Sequence, residues 1–404
     1  MKELNVLVIG LDTSALAASA YKAGYNVFAV DYFGDQDLRK VCKKVASIVS
    51  QMCGKPCGRI EADFSPQKLL DEAEKLIATH PIDVALLASG LENSPRVLTE
   101  LNKLIPIIGN TPIIIKRTCD KTRFFHELEK LSINHPQSSL AKDIEEAKLA
   151  SKDIGYPIIV KPLASLGGTN VRKAKSRNDL IMVFPQVYSS SPEGVLIQEF
   201  VPGMDASVSF LSSKGETTVL TLNEQLLGIR EVGQKEPFGY CGNVVPAFVD
   251  RELIETCREV TLKIASHFNL LGSNGVDMVI SKEGIPYVVE VNPRFQGTLE
   301  CVERVLRLNL VNAHMMACLE GSLPTLGERS LSCCVRLILY ALQPSIIPNL
   351  ADFKEIRDIP VSGAIIEEGE PLCSVVVEGK TRASALKKAR AMAKRVYSLV
   401  KPSK

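Results

Sequence analysis

Apolar and polar positions change period several times along this chain. Two short apolar runs, Asn5 to Gly10 and Asn26 to Val30, flank a stretch of helical spacing, Ser14 to Ala23, that Gly24 closes. Apolar runs of about five residues bounded by turn formers read as buried strands. A helix over Pro66 to Thr79 and a strand over Val84 to Ala88 repeat the alternation, so residues 1–115 predict a small open parallel sheet with crossover helices. From Gly109-Asn110-Thr111-Pro112 onward the alternation is lost. A helix from about Asp120 to Leu131 places Phe124, Phe125, Leu128 and Leu131 on one face, and strands are predicted over 156–161 and 195–201. A longer helix from about Arg251 carries Leu253, Cys257, Val260, Ile264 and Phe268 and stops by Gly272. Strands and helices without strict alternation predict an α+β unit. Leu319 to Ser330, with Gly321, Pro324 and Gly327, reads as a linker. Beyond it come short strands (Cys334 to Ala341, Gly363 to Ile366, Cys373 to Glu378). A closing helix then has Leu386, Ala389, Ala393, Val396 and Val400 on one face.

Composition narrows the classes. A chain of 404 residues is too long for one ordinary core, which predicts two or three domains. A net charge of +2 without basic clusters gives no footprint for nucleic acid. No apolar run approaches the ~18 residues of a membrane span. Glu3 and Asp12 bracket the first apolar run, which therefore reads as a strand and not as a signal sequence. Eleven cysteines without framework spacing predict reduced thiols and a cytoplasmic protein. Cys53-Gly-Lys-Pro-Cys57, with Cys42 nearby, offers half of a zinc site. No second pair with ligand spacing follows, so a turn with incidental thiols is the favoured reading.

The most informative segment is Glu290-Val291-Asn292-Pro293-Arg294. Residues 285–292 read as a strand, on which positions two apart share a face, so Glu290, Asn292 and Arg294 line up until Pro293 limits further pairing. A turn at 282–284 joins it to an apolar strand, Gly275 to Ser281, that carries Asp277. Two carboxylates and an amide oxygen at one spot suit a hard divalent cation that keeps waters and bridges phosphates. Lys161 closes the apolar strand Tyr156 to Val160 just before Pro162, and an unpaired buried ammonium is costly, so an anion is expected against it. Gly167, Gly168 and Thr169 supply backbone amides and a hydroxyl for phosphates. Lys121 follows Asp120 at a helix start and reaches the same place from the other side. Gln198 to Asp205 has the makings of an interdomain hinge, whose extended backbone pairs with an adenine edge. Gly10-Leu-Asp-Thr-Ser-Ala lacks dinucleotide-fingerprint spacing, so NAD is not expected. Ligands of open sheets sit beyond the carboxyl ends of strands. Asp12, Thr13, Asp31 and Gly90-Leu91-Glu92-Asn93 are thus substrate-side candidates, with capping and turn roles as the alternative.

In this order and spacing the motifs resemble those of ATP-grasp enzymes, over roughly residues 1–325 and more loosely in the tail. The resemblance implies a fold class of α/β and α+β. It implies an N-terminal Rossmann-like (pre-ATP-grasp) parallel sheet domain over 1–115 and an ATP-grasp domain over 116–325, with a lid at about 150–200. A small C-terminal α+β domain over 326–404 completes it. Carried over position by position, Lys121 and Lys161 would bind ATP phosphates beneath a lid formed by Gly167, Gly168 and Thr169. Gln198, Glu199 and the backbone of Val201 would hold adenine, and Asp205 the ribose, where the family usually has a glutamate. Asp277, Glu290 and Asn292 would hold Mg²⁺ or Mn²⁺, and Arg294, with Lys161, would act on the transferring phosphoryl group. Residues 206–246, with Ser207-Val-Ser-Phe-Leu, Thr221-Leu-Asn-Glu-Gln225, Arg230 and Phe238 to Asn243, suit either an acceptor pocket or solvated edge strands. They resemble predicted carboligases related to biotin carboxylase and, in places, tyramine–glutamate ligases. The reaction implied is amide formation between a small carboxylic acid and an amine, amino-acid-like substrates, through an acyl phosphate. The alternatives are a biotin-carboxylase-like carboxylase and a non-catalytic nucleotide-binding regulator. No nucleic-acid or membrane partner is expected; a homodimer is.

Overall fold

The computed structural model of the chain describes residues 4–327 and 332–403; the last part of the expected linker, 328–330, lies outside the described residues. β1 (Asn5–Ile9), β2 (Asn26–Asp31), β3 (Lys44–Ser47) and β4 (Val84–Leu87) pair in parallel in the order β3-β2-β1-β4. The central strand β1 is apolar on both faces because both are covered. Val6 and Val8 enter one core with the helix Ser14–Lys22, while Leu7 and Ile9 enter another with the helix Pro66–Thr79. Those two helices lie where their spacing predicts them.

Two antiparallel sheets follow. The smaller contains β5 (Ser138–Ala141), β6 (Ile158–Pro162), β7 (Arg172–Ala174) and β8 (Val195–Glu199) in the order β5-β8-β6-β7. The helices Ile144–Ile154 and Arg177–Ser189 back it. The larger sheet begins with β9 (Gly203–Ser212), β10 (Thr217–Leu227), β11 (Tyr240–Val245), β12 (Gly272–Ser281) and β13 (Pro286–Asn292). The last segment adds β14 (Cys333–Tyr340), β15 (Ser345–Ile346), β16 (Ile356–Arg357), β17 (Ile365–Ile366), β18 (Pro371–Gly379) and β19 (Lys401–Pro402). The large sheet runs β13-β12-β9-β10-β11-β14-β18-β16, and β17-β15-β19 form a separate small ladder. Strands on both sides of residue 325 therefore share one sheet, with Asn243 of β11 opposite Arg336 of β14.

Period-two alternation gives this sheet two different faces. Val208, Phe210, Val276 and Val288 pack in one core with the helix Arg251–Phe268. Ser207, Ser209, Asn223 and Asp277 face the other way, and all but Asp277 are buried. The solvated-edge alternative for residues 206–246 fails here, because β9 and β10 are central strands. The Cys53–Cys57 segment is a turn held by the C-terminal hairpin. Gly54 N donates to Gly363 O at 2.8 Å and Cys57 N to Ile365 O at 2.9 Å.

Gly242 marks where the last segment joins the large sheet. Its φ is +124°, and a Cβ there would collide with the Arg336 carbonyl. Gly242→Ala is therefore expected to cost about 1–3 kcal/mol, read as a lowered thermal unfolding midpoint. A wild-type midpoint would contradict the β11–β14 register.

Candidate active site

The β12–β13 hairpin places Asp277 directly opposite Glu290, and Gly275 opposite Asn292, with a bulge after Asp277. Directly opposed Cβ atoms stand about 5 Å apart, so the two carboxylates are neighbours by register. Asn292 Nδ2 donates to Asp277 Oδ2 at 2.9 Å, and Gln225 Nε2 of β10 donates to Asp277 Oδ1 at 3.0 Å. Past Pro293, Arg294 turns back over the same face. Its Nη2 donates to Asn292 Oδ1 at 3.0 Å, its Nη1 to Phe295 O at 2.9 Å and its Nε to Glu92 Oε1 at 2.8 Å. Lys121 Nζ, from the start of the helix Lys121–Lys130, is 3.4 Å from Glu290 Oε2. Lys161 on β6 is 7% exposed, and its Nζ lies 5.9 Å from the centre of the Phe125 ring.

The electrostatics of this group are strained in opposite directions. Burial, then the Glu290 charge, pushes Asp277 up to about 7, against hydrogen bonds from Asn292 and Gln225 and the Arg294 charge. Burial would raise Glu290 as well, but Lys121, Lys161 and Arg294 hold it below the ordinary carboxylate value. Burial, then Lys121, pulls Lys161 down to about 7, with Glu290 opposing. A cation added beside Asp277 relieves the first strain, and a polyanion added beside Lys161 relieves the third. Among the described residues no group of three or more His, Cys, Asp or Glu side chains could hold a metal. The donors present, two carboxylates and an amide oxygen, therefore fit an ion that completes its shell with water and phosphate oxygens, as Mg²⁺ does.

The remaining expected residues lie along the small sheet and its hinge. Gly167 and Gly168 have φ of 57° and 78°, and a Cβ on Gly168 would collide with the Phe238 carbonyl. Tyr240 N donates to Gly167 O at 2.9 Å, and Thr169 Oγ1 to Leu166 O at 2.9 Å, so this loop rests on the 238–240 segment. Gln198 is buried and donates to Ser138 Oγ at 2.7 Å, while Glu199 Oε2 accepts from Gln137 N at 3.1 Å. Val201 lies in the connection from β8 to β9. Asp205 on β9 sits opposite Val279, its carboxyl raised by burial. Lys173, which the sequence reading did not single out, stands 3.2 Å from the centre of the Phe200 ring at the same hinge.

Two substrate-side candidates reach across to the large sheet. Glu92, beyond β4, holds Arg294, and Asp12, beyond β1, accepts from Arg336 Nη2 at 2.9 Å. Arg336 also donates to Asp358 Oδ2 at 2.7 Å, Gly297 O at 3.4 Å and Ser374 Oγ at 3.3 Å. The sequence reading passed over Arg336, yet a cation inside the apolar run Cys333 to Tyr340 is the same signal that marked Lys161. Asp31 and Thr13 take the alternative, structural role. Asp31 accepts from Thr13 N, Thr13 Oγ1, Phe33 N and Gly34 N and shapes the turn after β2.

A buried polar scaffold fixes the turn that carries Arg294. Asn110 accepts from Leu271 N at 2.8 Å and donates to Asn274 Oδ1 at 2.6 Å and Pro293 O at 3.1 Å. Behind it, His314 Nδ1 accepts from Ser273 N at 2.8 Å, and its Nε2 donates to Ile108 O at 3.0 Å. Both ring nitrogens are thus committed, and the imidazole is neutral.

Residues 118–298 match the sequence profile of the ATP-grasp domain. The chain is 27% identical to an uncharacterized protein of Methanocaldococcus jannaschii over 93% of its own length and 88% of that protein. It also matches carbamoyl phosphate synthase large chains, of which it spans only about a quarter: 22% in Pyrococcus furiosus, at 30% identity, and 26% in Xylella fastidiosa. In structure it is similar to the biotin carboxylase domain of Hydrogenobacter thermophilus 2-oxoglutarate carboxylase, solved with MgADP, ADP and bicarbonate. There the TM-score is 0.76 at 16% identity, covering 99% of this chain and 90% of that one. It is similar as well to the L-amino acid ligase of Bacillus licheniformis, with a TM-score of 0.70 at 14% identity and full coverage of both chains. The chain therefore carries an ATP-grasp domain over residues 118–298.

His314 gives the scaffold a pH signature. Burial pulls it from 6.5 down to about 4, so the folded state prefers the neutral ring. The stability this contributes is complete above pH 6.5 and is lost as pH falls towards 4, amounting to about 3 kcal/mol. Denaturant unfolding of the wild type and His314→Gln between pH 7 and pH 4 should show the wild type losing more stability on acidification. Parallel losses would contradict a neutral buried ring.

Proposed function

We propose that this protein is an ATP-dependent carboxylate–amine ligase that forms an amide and releases ADP and phosphate. One observation carries the reading: the opposed Asp277 and Glu290 carboxylates are met by Lys121 and Arg294, with the buried Lys161 in their field. That is the charge pattern of a site for a metal-bound triphosphate. The similarity to a structure solved with MgADP and to an L-amino acid ligase supports it.

A carboxylate is a poor acyl donor because its leaving group would be oxide. Attack of a carboxylate oxygen on the γ-phosphorus, with cleavage of the bond to the β-phosphate bridging oxygen, yields ADP and an acyl phosphate. An amine nitrogen then attacks the acyl carbon, the C–O bond to phosphate breaks, and the nitrogen loses a proton. No protein nucleophile is needed, and the side chains contribute position and charge. Lys121 and Lys161 would neutralise phosphate oxygens. Arg294, steered by Glu92 and Asn292, keeps guanidinium N–H groups for the transferring phosphoryl group. Asp277, Glu290 and Asn292 would hold Mg²⁺ or Mn²⁺, which when bound shields the negative charge of the phosphates. Gly167, Gly168 and Thr169 would close over them, keeping water from the acyl phosphate. Gln198, Glu199 and the Val201 backbone would hold adenine at the hinge, with Asp205 on the ribose. Domain bounds at 115 and 325, a homodimer and a cytoplasmic setting complete the proposal.

A biotin-carboxylase-like reaction through carboxyphosphate is the second reading, favoured by the similarity to a domain solved with bicarbonate. ADP release that needs bicarbonate and no amine would select it; release that needs an acid and an amine together supports the ligase.

The metal role has its own test. Glu290→Gln and Asp277→Asn should each lower metal-dependent ADP formation by at least about a hundredfold in protein that still unfolds in one cooperative transition. Wild-type turnover in both variants would remove the assignment.

Proton linkage supplies another. With Asp277 and Lys161 both near 7, the metal–nucleotide complex displaces a proton from Asp277 below pH 7 and recharges Lys161 above it. Calorimetry of a non-hydrolysable Mg–ATP analogue in buffers of different ionisation enthalpy should report net release at pH 6 and net uptake at pH 8. Lys161→Met should abolish the uptake. One sign at both pH values would contradict these charge states.

A further inference from the structure

Two arginines, Arg294 and Arg336, are each bonded to a loop of the parallel sheet, and they are not equivalent. Arg294 has one carboxylate partner, Glu92; its other hydrogen bonds go to the Asn292 amide oxygen and the Phe295 carbonyl. Arg336 has two, because Asp12 and Asp358 converge on the same nitrogen, Nη2, at 2.9 and 2.7 Å. Of its five N–H groups, the guanidinium spends two on the Gly297 carbonyl and the Ser374 hydroxyl. Behind it Asp37 accepts from Asp358 N and Ile359 N, and Asp35 accepts from Gln51 Nε2. Asp12, Asp358 and Asp37 thus stand against one guanidinium at Arg336, while burial pushes Asp35 well above the ordinary carboxylate range. Burial and the Asp12 charge push Asp358 up to about 7 despite Arg336, as expected where carboxylates outnumber their counter-ion.

The surroundings of the two arginines are connected by a polar row set by strand register. Asp277 is opposite Ser207, Ser207 opposite Asn223, Gln225 opposite Asn243, and Asn243 opposite Arg336, all on the sheet face turned away from the helix Arg251–Phe268. The turn Gln296 to Thr298 lies over this row, and Thr298 and Gln296 both bond Ser209 at 3.0 Å. Within the row one acceptor is unused. Asn223 is wholly buried and spends its amide nitrogen on Ser207 and Ser209, while its Oδ1 has no partner among the described residues. An unused buried acceptor is expensive unless a donor arrives.

Resting on the ligase reading above, we propose that the acceptor amine carries a second positive charge, and that this far ammonium is held by Asp12 and Asp358 beside Arg336. Its reacting nitrogen then lies toward Arg294, where the acyl phosphate would form. Arg336 acts here as a positioning residue: it orients the two carboxylates and does not anchor a substrate carboxylate. The ligand class is a diamine or a basic amino-acid-like amine.

The test uses the full chain loaded with a non-hydrolysable Mg–ATP analogue, whose own binding is measured first. Linear diamines from 1,3-diaminopropane to 1,6-diaminohexane are compared with ω-amino acids of matching length, which keep the reacting amine and replace the far ammonium by a carboxylate. The diamines should bind, and a matched ω-amino acid should bind at least about tenfold more weakly. Asp12→Asn and Asp358→Asn should each weaken diamine binding by about tenfold or more. The double variant, in which Arg336 is left uncompensated, should prefer the ω-amino acid. Preference of the wild type for the ω-amino acids, absence of binding by both series, or diamine binding unchanged in the variants would overturn the inference. Failure of the nucleotide analogue to bind at the outset would instead remove the ligase reading beneath it.

Discussion

Two carboxylates held side by side across a hairpin repel, and most of the architecture around Asp277 and Glu290 exists to make that arrangement tolerable. The register of β12 with β13 leaves them no freedom to separate. Three cations from three different elements, Lys121, Lys161 and Arg294, face Glu290, while Asp277 receives two amide donors. The compensation is uneven, so Asp277 holds its proton near neutrality while Glu290 is firmly ionised. An apolar replacement would be more stable in such a place. On the proposed reading the retained charges are preorganised for a ligand that brings its own metal and phosphate charges, which is how electrostatic catalysis avoids reorganisation during the reaction.

The same physics explains why three sheets are needed. Lys161 comes from the small sheet, the carboxylates from the large one, and Glu92 and Asp12 from loops beyond the parallel sheet. Arg294 and Arg336 are thus each tied to a loop at the carboxyl end of a parallel strand, β4 for Arg294 and β1 for Arg336. These ties give the two arginines different surroundings, one carboxylate for Arg294 and two for Arg336. β14, which carries Arg336, joins the central sheet through β11, so the last segment belongs to the site and does more than cap the fold.

Much of this was legible in the residues because it follows short-range rules. Period two on a strand puts Glu290, Asn292 and Arg294 on one face, and a three-residue turn makes Asp277 their neighbour. A lysine ending an apolar run announces a buried charge, and Lys161 is one. What a single sequence does not carry is the register between strands distant in the chain. Gln225 meets Asp277 across 52 residues, and Asp12 meets Arg336 across 324. For that reason Ser207, Asn223 and Asn243 read equally well as solvated edge positions until β9 and β10 proved central. Arg336 carried a readable signal, but its two partners, Asp12 and Asp358, are turn residues that local spacing assigns to caps. His314, alone in an apolar helix, gave no sign that its two nitrogens bond Ser273 and Ile108, 41 and 206 residues upstream.

The central claim is that a divalent ion sits between Asp277 and Glu290 with a triphosphate reaching Lys161. Crystals grown with Mn²⁺ and a non-hydrolysable ATP analogue test it most directly, through the anomalous signal of manganese. The account predicts a manganese peak within coordination distance of both carboxylates and of a phosphate oxygen, with Lys161 Nζ against the phosphate chain. A peak elsewhere, or a nucleotide bound away from β12 and β13, would contradict it.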